Sequence, residues 1–380
     1  MSNLDLSLPI FDGNSRSTQI LPEQTFLPDV YRIPEGQQRA PEVPFSPGVV
    51  FIEVTNRCNL LCQTCPRTHF DREPLKSLSL DEFIHIAEQF PDMQQAELHG
   101  IGEPLLNSEL PQIIRYLKSR GVKVVTNSNG TLLTARWQVD LVESGLDVYR
   151  CSIDGAMPET YARLRGADLL PKLVKGLSEL VETKARLKAN TPYISIWCVA
   201  TRDNLEEMPE LVRLASQIGV PEVYLQRMVY FAHEPSEQRG LAIKDLSIFG
   251  VNGSKDDMKF QEQVIFECER LSEQLGVMFR ASGARDPRNS LAAARSANFT
   301  PWQACMRPWT TAYVTANGNC LPCCISPFAT FDYHSLIMGN LLEEPFTEIW
   351  NNPLYQKWRT DLMSTSPHKA CAGCGVYWSL

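Results

Sequence analysis

Cys58, Cys62 and Cys65, on the short segment CNLLCQTC, are the residues of this chain best suited to metal chemistry. Three thiolates at these spacings hold three irons of a [4Fe-4S] cube and leave the fourth iron without a protein ligand, an open binding position. Zinc would want a fourth ligand, and His69 is near enough in sequence to supply it; spacing favours the cluster. A second concentration of thiols lies towards the C-terminus, where Cys305 opens CMRPWTTAYVTANGNCLPCC and Cys371 and Cys374 form a CxxC pair. The residues alone allow a four-cysteine zinc site from the pairs Cys320/Cys323 and Cys371/Cys374, or an iron-sulfur cluster on Cys305, Cys323, Cys371 and Cys374, and spacing slightly favours zinc. Cys151, Cys198 and Cys268 stand alone and read as core thiols.

Composition narrows the setting. With 380 residues and 43% hydrophobic content, the chain has enough apolar surface for one large core or two moderate ones. The formal charge of -8 and the absence of a dense Lys/Arg run exclude a nucleic-acid footprint and favour a small-molecule or peptide substrate. The N-terminus, with Asp5 and Asp12, lacks a basic start and a continuous apolar stretch, so it does not read as a secretory signal, and no window approaches a membrane span. The expectation is a cytoplasmic protein without membrane or nucleic-acid partners, in which twelve cysteines serve metals rather than disulfides.

The elements that must carry the cysteines follow from periodicity. Residues 1–47 are Pro-, Gly-, Gln- and Ser-rich and read as an extended arm. From Val49, short apolar strands (VVFIEV, AELHG, VKVVTN, VYRCSID, YISIWCVA, EVYLQ) alternate with amphipathic segments, the first of which opens on the capping pair Ser79 and Glu82. Six strands separated by helices predict an α/β fold, a partial (β/α)6 TIM-like barrel over 48–230. Residues 231–300 read as a bridging stretch with a helix over Asp256 to Leu275 and a short strand at VMFRA. Residues 301–380 are loop-rich, as where a metal organises a small unit. The Cys58 loop and three further polar segments, HGIGEP, TNSNG and CSIDG, all fall at C-terminal strand ends, where barrels place active sites.

CNLLCQTC resembles the CxxxCxxC signature of radical S-adenosylmethionine (SAM) enzymes, with Thr64 where the family often has an aromatic residue, and HGIGEP resembles the family's GGEP segment with Ile101 in place of one glycine. The resemblance implies that the open iron chelates SAM and that the reduced cluster, fed by a flavodoxin- or ferredoxin-type donor, cleaves SAM to a 5'-deoxyadenosyl radical. It implies that Gly100, Gly102, Glu103 and Pro104 border SAM, the glycines offering backbone carbonyls to its ammonium and Glu103 adding charge. Ser152 is implied as a SAM contact and Arg165 as a partner for its carboxylate, since a guanidinium fork suits a planar anion. The C-terminal pattern is similar to the SPASM/twitch extension of the same family, which reverses the preference for zinc and implies one auxiliary [4Fe-4S] cluster on Cys305, Cys323, Cys371 and Cys374, with Cys320 or Cys324 as substitutes. Such parts suit an oxidoreductase that acts on a small biosynthetic intermediate by oxidation or rearrangement. The alternatives are crosslinking, epimerisation or oxidation of a ribosomally made peptide, and a zinc-stabilised binding protein without enzymatic activity.

Overall fold

Each of the six expected strands forms, and in the expected order. The computed structural model describes residues 32–228, 255–281, 301–372 and Cys374. In it β1 (Val49–Ile52), β2 (Gln95–Glu97), β3 (Lys123–Ser128), β4 (Val148–Ser152), β5 (Tyr193–Ala200) and β6 (Glu222–Arg227) pair in sequence, all parallel. A short helix α1 (Pro66–His69) follows the first cysteine loop, and the crossover helices include α2 (Leu80–Glu88), which starts on the reciprocal Ser79–Glu82 capping box, α3 (Leu110–Ser119), α4 (Ala135–Glu143), α5 (Pro158–Arg165), α6 (Leu170–Arg186) and α7 (Met208–Gln217). Side-chain alternation divides the sheet faces. On β4, Tyr149 and Cys151 sit fully buried in the apolar core, whereas Arg150 and Ser152 between them turn to the opposite, more open face.

The described part of the bridging stretch extends this sheet. Helix α8 (Lys255–Leu275) packs on α7, and β7 (Met278–Ala281) pairs parallel with β6, so VMFRA is a further strand of the parallel array. Residues 229–254 and 282–300 lie outside the described residues.

The C-terminal cysteine region also contributes strands, which its Gly-, Pro- and Cys-rich composition concealed. β8 (Thr311–Val314) lies parallel beside β1, β9 (Asn319–Leu321) returns antiparallel, and β10 (Gly339–Asn340) adds to β9. The result is one ten-stranded sheet in the order β10-β9-β8-β1-β2-β3-β4-β5-β6-β7, open between its edges β10 and β7. Pairing with β8 covers the β1 edge that would otherwise expose unpaired backbone groups. The described end of the N-terminal arm is strapped across this unit. The Trp309 and Trp350 indoles donate to the carbonyls of Ala40 and Phe45, and the fully buried Arg359 donates to that of Pro41. Among the described residues no helix is long and apolar enough to cross a membrane.

Candidate active site

Because β1 to β4 are parallel, the segments that follow them emerge on one edge of the sheet. The Cys58–Cys65 loop leaves β1 there and is held from inside by Arg67. Its guanidinium donates to the carbonyls of Asn56 (3.1 Å), Cys58 (3.2 Å) and Leu60 (3.4 Å), closing the loop around one cation. Side-chain donors reach two of the sulfurs, Asn129 Nδ2 at 3.9 Å from Cys58 Sγ and Arg165 Nη1 at 3.9 Å from Cys62 Sγ. N–H groups aimed at sulfur favour the thiolate form that iron requires. Burial pushes the Cys58 thiol up, and that of Cys65 up to about 12. His69, the candidate fourth zinc ligand, instead places Nε2 2.9 Å from the Gln63 carbonyl oxygen.

HGIGEP packs directly under the cysteine loop. A Cβ at Gly102 would lie 2.0 Å from the Thr55 carbonyl oxygen, and one at Gly100 2.1 Å from Glu53 Cγ, so both positions exclude any side chain. The Glu103 amide donates to the Arg57 carbonyl (2.8 Å), tying the two segments together. The Glu103 carboxylate itself turns inwards. It is 1% exposed and accepts from Ser128 Oγ (2.7 Å) and from the amides of Asn129 (2.7 Å) and Leu105 (3.0 Å). It caps the short helix begun by Pro104, which is buried too. The Glu103 carboxylate therefore braces β3 and the segment after it against the loop.

Ser152 ends β4 on the open face. Arg165, at the end of α5, is anchored by an ion pair from Nε to Asp154 Oδ2 (2.7 Å), leaving Nη1 towards Cys62. The same open face carries a charged row that single-residue motifs did not announce. Glu97, 1% exposed, binds Gln95 Nε2 (2.7 Å), Arg150 Nη1 (2.9 Å) and His99 Nε2 (3.2 Å), and the pull of Arg150 and His99 holds its carboxyl below the usual range against the cost of burial. Arg150 covers the Trp197 ring at 4.4 Å, and Trp197 stacks on Tyr224 at 4.0 Å.

Cys305, Cys323, Cys371 and Cys374 line one cavity, walled mainly by apolar side chains such as Trp302, Trp358 and Leu362. Cys320 is directed elsewhere, with Sγ 3.6 Å from the Tyr355 hydroxyl in the core. Cys324 is not among the lining residues. Among the described residues no three His, Cys, Asp or Glu side chains stand at single-ion spacing, the arrangement a four-cysteine zinc site needs. A four-iron cluster spreads its thiolates more widely, because its own body lies between them. The two cysteine regions are clasped together. Arg72, past the first loop, donates to the carbonyls of Thr330 (2.8 Å) and Pro327, and Glu73 accepts from Asn319 (2.8 Å), Asn317 (3.0 Å) and the Tyr333 hydroxyl (2.6 Å).

The sequence profile of the radical SAM superfamily matches residues 52–245, half of the chain. The chain belongs to this superfamily. A second profile, the SPASM iron-sulfur cluster-binding domain, matches residues 305–375. Its cofactors are therefore SAM, a SAM-binding [4Fe-4S] cluster and an auxiliary iron-sulfur cluster, and the zinc-stabilised binding protein is set aside. Over 343 residues the chain is 24% identical to the AdoMet-dependent heme synthase of Methanosarcina barkeri, covering 87% of this chain and 88% of that protein. It is 29% identical to a cofactor-modifying protein for the tungsten-containing aldehyde ferredoxin oxidoreductase of Pyrococcus furiosus, over 47% of this chain and 51% of that one. This radical SAM chain thus spans about half the length of some curated relatives. Among solved structures, Streptococcus suis SuiB bound to its precursor peptide SuiA is similar with a TM-score of 0.60 at 15% identity, covering 88% of this chain and 70% of SuiB. The structure of anSMEcpe with AdoMet and the Cp18Cys peptide gives 0.58 at 15%, covering 87% and 89%.

One buried acid of this radical SAM fold yields a pH prediction. Glu53, 2% exposed at the end of β1, accepts from the Tyr313 hydroxyl and from the Ile101 amide (2.9 Å), yet burial outweighs these bonds and pushes its pKa up to about 7. An acid whose pKa is raised on folding binds its proton more tightly in the folded state, so its stability contribution is present below its ordinary value of 4.5 and is lost as pH rises through 7. The loss is of order 3 kcal/mol at ~1.4 kcal/mol per pKa unit. E53Q should therefore flatten the fall in melting temperature between pH 5 and pH 8, and an unchanged slope would rule Glu53 out as its source.

Proposed function

We propose that this enzyme reductively cleaves SAM and abstracts hydrogen from a small biosynthetic intermediate, which it then oxidises or rearranges. When bound, SAM and its cluster supply a 5'-deoxyadenosyl radical. Cys58, Cys62 and Cys65 hold that cluster on a loop shaped by Arg67, and Asn129 and Arg165 donate towards its sulfurs. Gly100 and Gly102 keep the neighbouring backbone close to the loop. In this reading Ser152 contacts SAM, and Arg165, fixed by Asp154, meets its carboxylate. Cys305, Cys323, Cys371 and Cys374 hold the auxiliary cluster. The domain plan is a barrel over 48–230, a bridge over 231–300 and the auxiliary unit over 301–380, with electrons delivered by a flavodoxin- or ferredoxin-type protein.

The observation that carries the oxidative reading is the convergence of four thiols on one cavity in a unit clasped to the SAM loop through Arg72 and Glu73. Four protein ligands close a cluster to substrate and suit it to carrying electrons. Near full-length similarity to a heme synthase supports a small substrate. Modification of a ribosomally made peptide is the second reading. The peptide-bound relatives favour it, although 15% identity speaks for the fold alone.

Incubating dithionite-reduced enzyme with SAM and deuterated candidates tests the choice. Deuterium should enter 5'-deoxyadenosine from a small metabolite; transfer from peptides alone would transfer the assignment to the second reading.

A further inference from the structure

We propose that Arg307 sets the reduction potential of the auxiliary cluster. The proposal rests on the assignment of Cys305, Cys323, Cys371 and Cys374 as its ligands. Arg307 begins the short helix Arg307–Thr310 and lines the same cavity as those four thiols. Its guanidinium stands close enough to Cys305 and Cys324 to act on both thiols electrostatically. Cys324 stands beside the cavity without lining it, and its thiol feels the same guanidinium.

Arg307 is the one charged side chain among the described lining residues, and its neighbours there include Trp302, Pro308, Ile325 and Trp358. A cube with four thiolate ligands is already anionic and gains a further negative charge when it takes one electron. A fixed cation therefore stabilises the reduced form more than the oxidised one, and an apolar wall screens the attraction poorly. A fixed charge beside the ligand sulfurs is among the levers that set cluster potentials. Reduction adds one electron, breaks no protein bond and moves no proton, since the guanidinium is protonated throughout. The effect favours acceptance of the electron that an oxidation removes from a substrate radical.

The test uses the full chain carrying C58A/C62A/C65A, so that all bound iron belongs to the auxiliary site. Loss of that iron on further change of Cys305, Cys323, Cys371 and Cys374 to alanine checks the ligand assignment separately; iron retained there would sink the assignment rather than the role of Arg307. EPR-monitored potentiometry then compares Arg307 with R307K and R307M. R307M should lower the equilibrium constant for reduction at least tenfold, about 59 mV for a one-electron couple. R307K, which keeps the charge but as a compact, strongly hydrated ammonium in place of the planar guanidinium, should fall between. An unmoved potential in R307M, or in R307K if R307M does not retain its iron, would overturn the proposal.

Discussion

Replacing Cys58, Cys62 and Cys65 together by alanine is expected to abolish 5'-deoxyadenosine formation while leaving about half of the roughly eight irons expected for two four-iron clusters. On the proposed ligand assignment the effect is all-or-none, because an open iron exists only while three thiolates hold the other three. Among the described residues, the two polar side chains next in line are already engaged. His69 is engaged with the Gln63 carbonyl, and Arg67 fills the loop interior with a cation. The retained iron should depend on the separate cavity lined by Cys305, Cys323, Cys371 and Cys374. Iron analysis and SAM-cleavage assays under anaerobic conditions check both halves. Cleavage surviving the triple change would remove these cysteines from the reaction, and loss of all iron would mean that the C-terminal cavity does not hold a cluster independently.

The barrel was legible because its strands are apolar runs that end in abrupt polar punctuation. VVFIEV, VKVVTN and YISIWCVA each became a strand, and the Ser79–Glu82 pair became a capping box. The region beyond Cys305 was less so. TTAYV contributes β8, whose four residues are all buried, but its apolar run is short and sits among Gly, Pro and Cys, so loop chemistry dominated the reading. The signal that was present was the Asn317-Gly318 step before Asn319, since Gly318 takes a φ of 85° between β8 and β9. Long-range braces were illegible for a different reason. Arg67, Arg72, Arg150 and Arg307 each look like an ordinary solvated cation in sequence, and only the fold brings carbonyls, rings or sulfurs to meet them. Glu103 is legible only in part: its motif gives its position along the chain, and only the fold gives the direction of its carboxylate.

That direction makes Glu103 the residue whose loss should combine the largest stability and binding effects. In E103A, the Ser128 hydroxyl and the amides of Leu105 and Asn129 lose a buried acceptor together. An unsatisfied buried donor costs about 1–3 kcal/mol, so a destabilisation of order 3–5 kcal/mol is expected, short of the full sum because the cavity admits water. The damage should spread to the cysteine loop through one residue. Asn129, whose amide Glu103 holds, also reaches Asn59 Oδ1 (2.9 Å) and Cys58 Sγ through its side chain. SAM affinity should therefore fall about tenfold or more in E103A, equivalent to ~1.4 kcal/mol. E103Q separates bracing from direct contact. Its amide oxygen can still accept from Ser128 and Leu105, while its NH2 group opposes the Asn129 amide, so stability and SAM affinity should both fall, by less than in E103A. Thermal unfolding and equilibrium SAM binding measure the two quantities on the same samples. A variant that loses SAM affinity at unchanged stability would show that the carboxylate touches SAM directly, against its burial; parallel loss of both is what a brace between β3 and the cysteine loop requires.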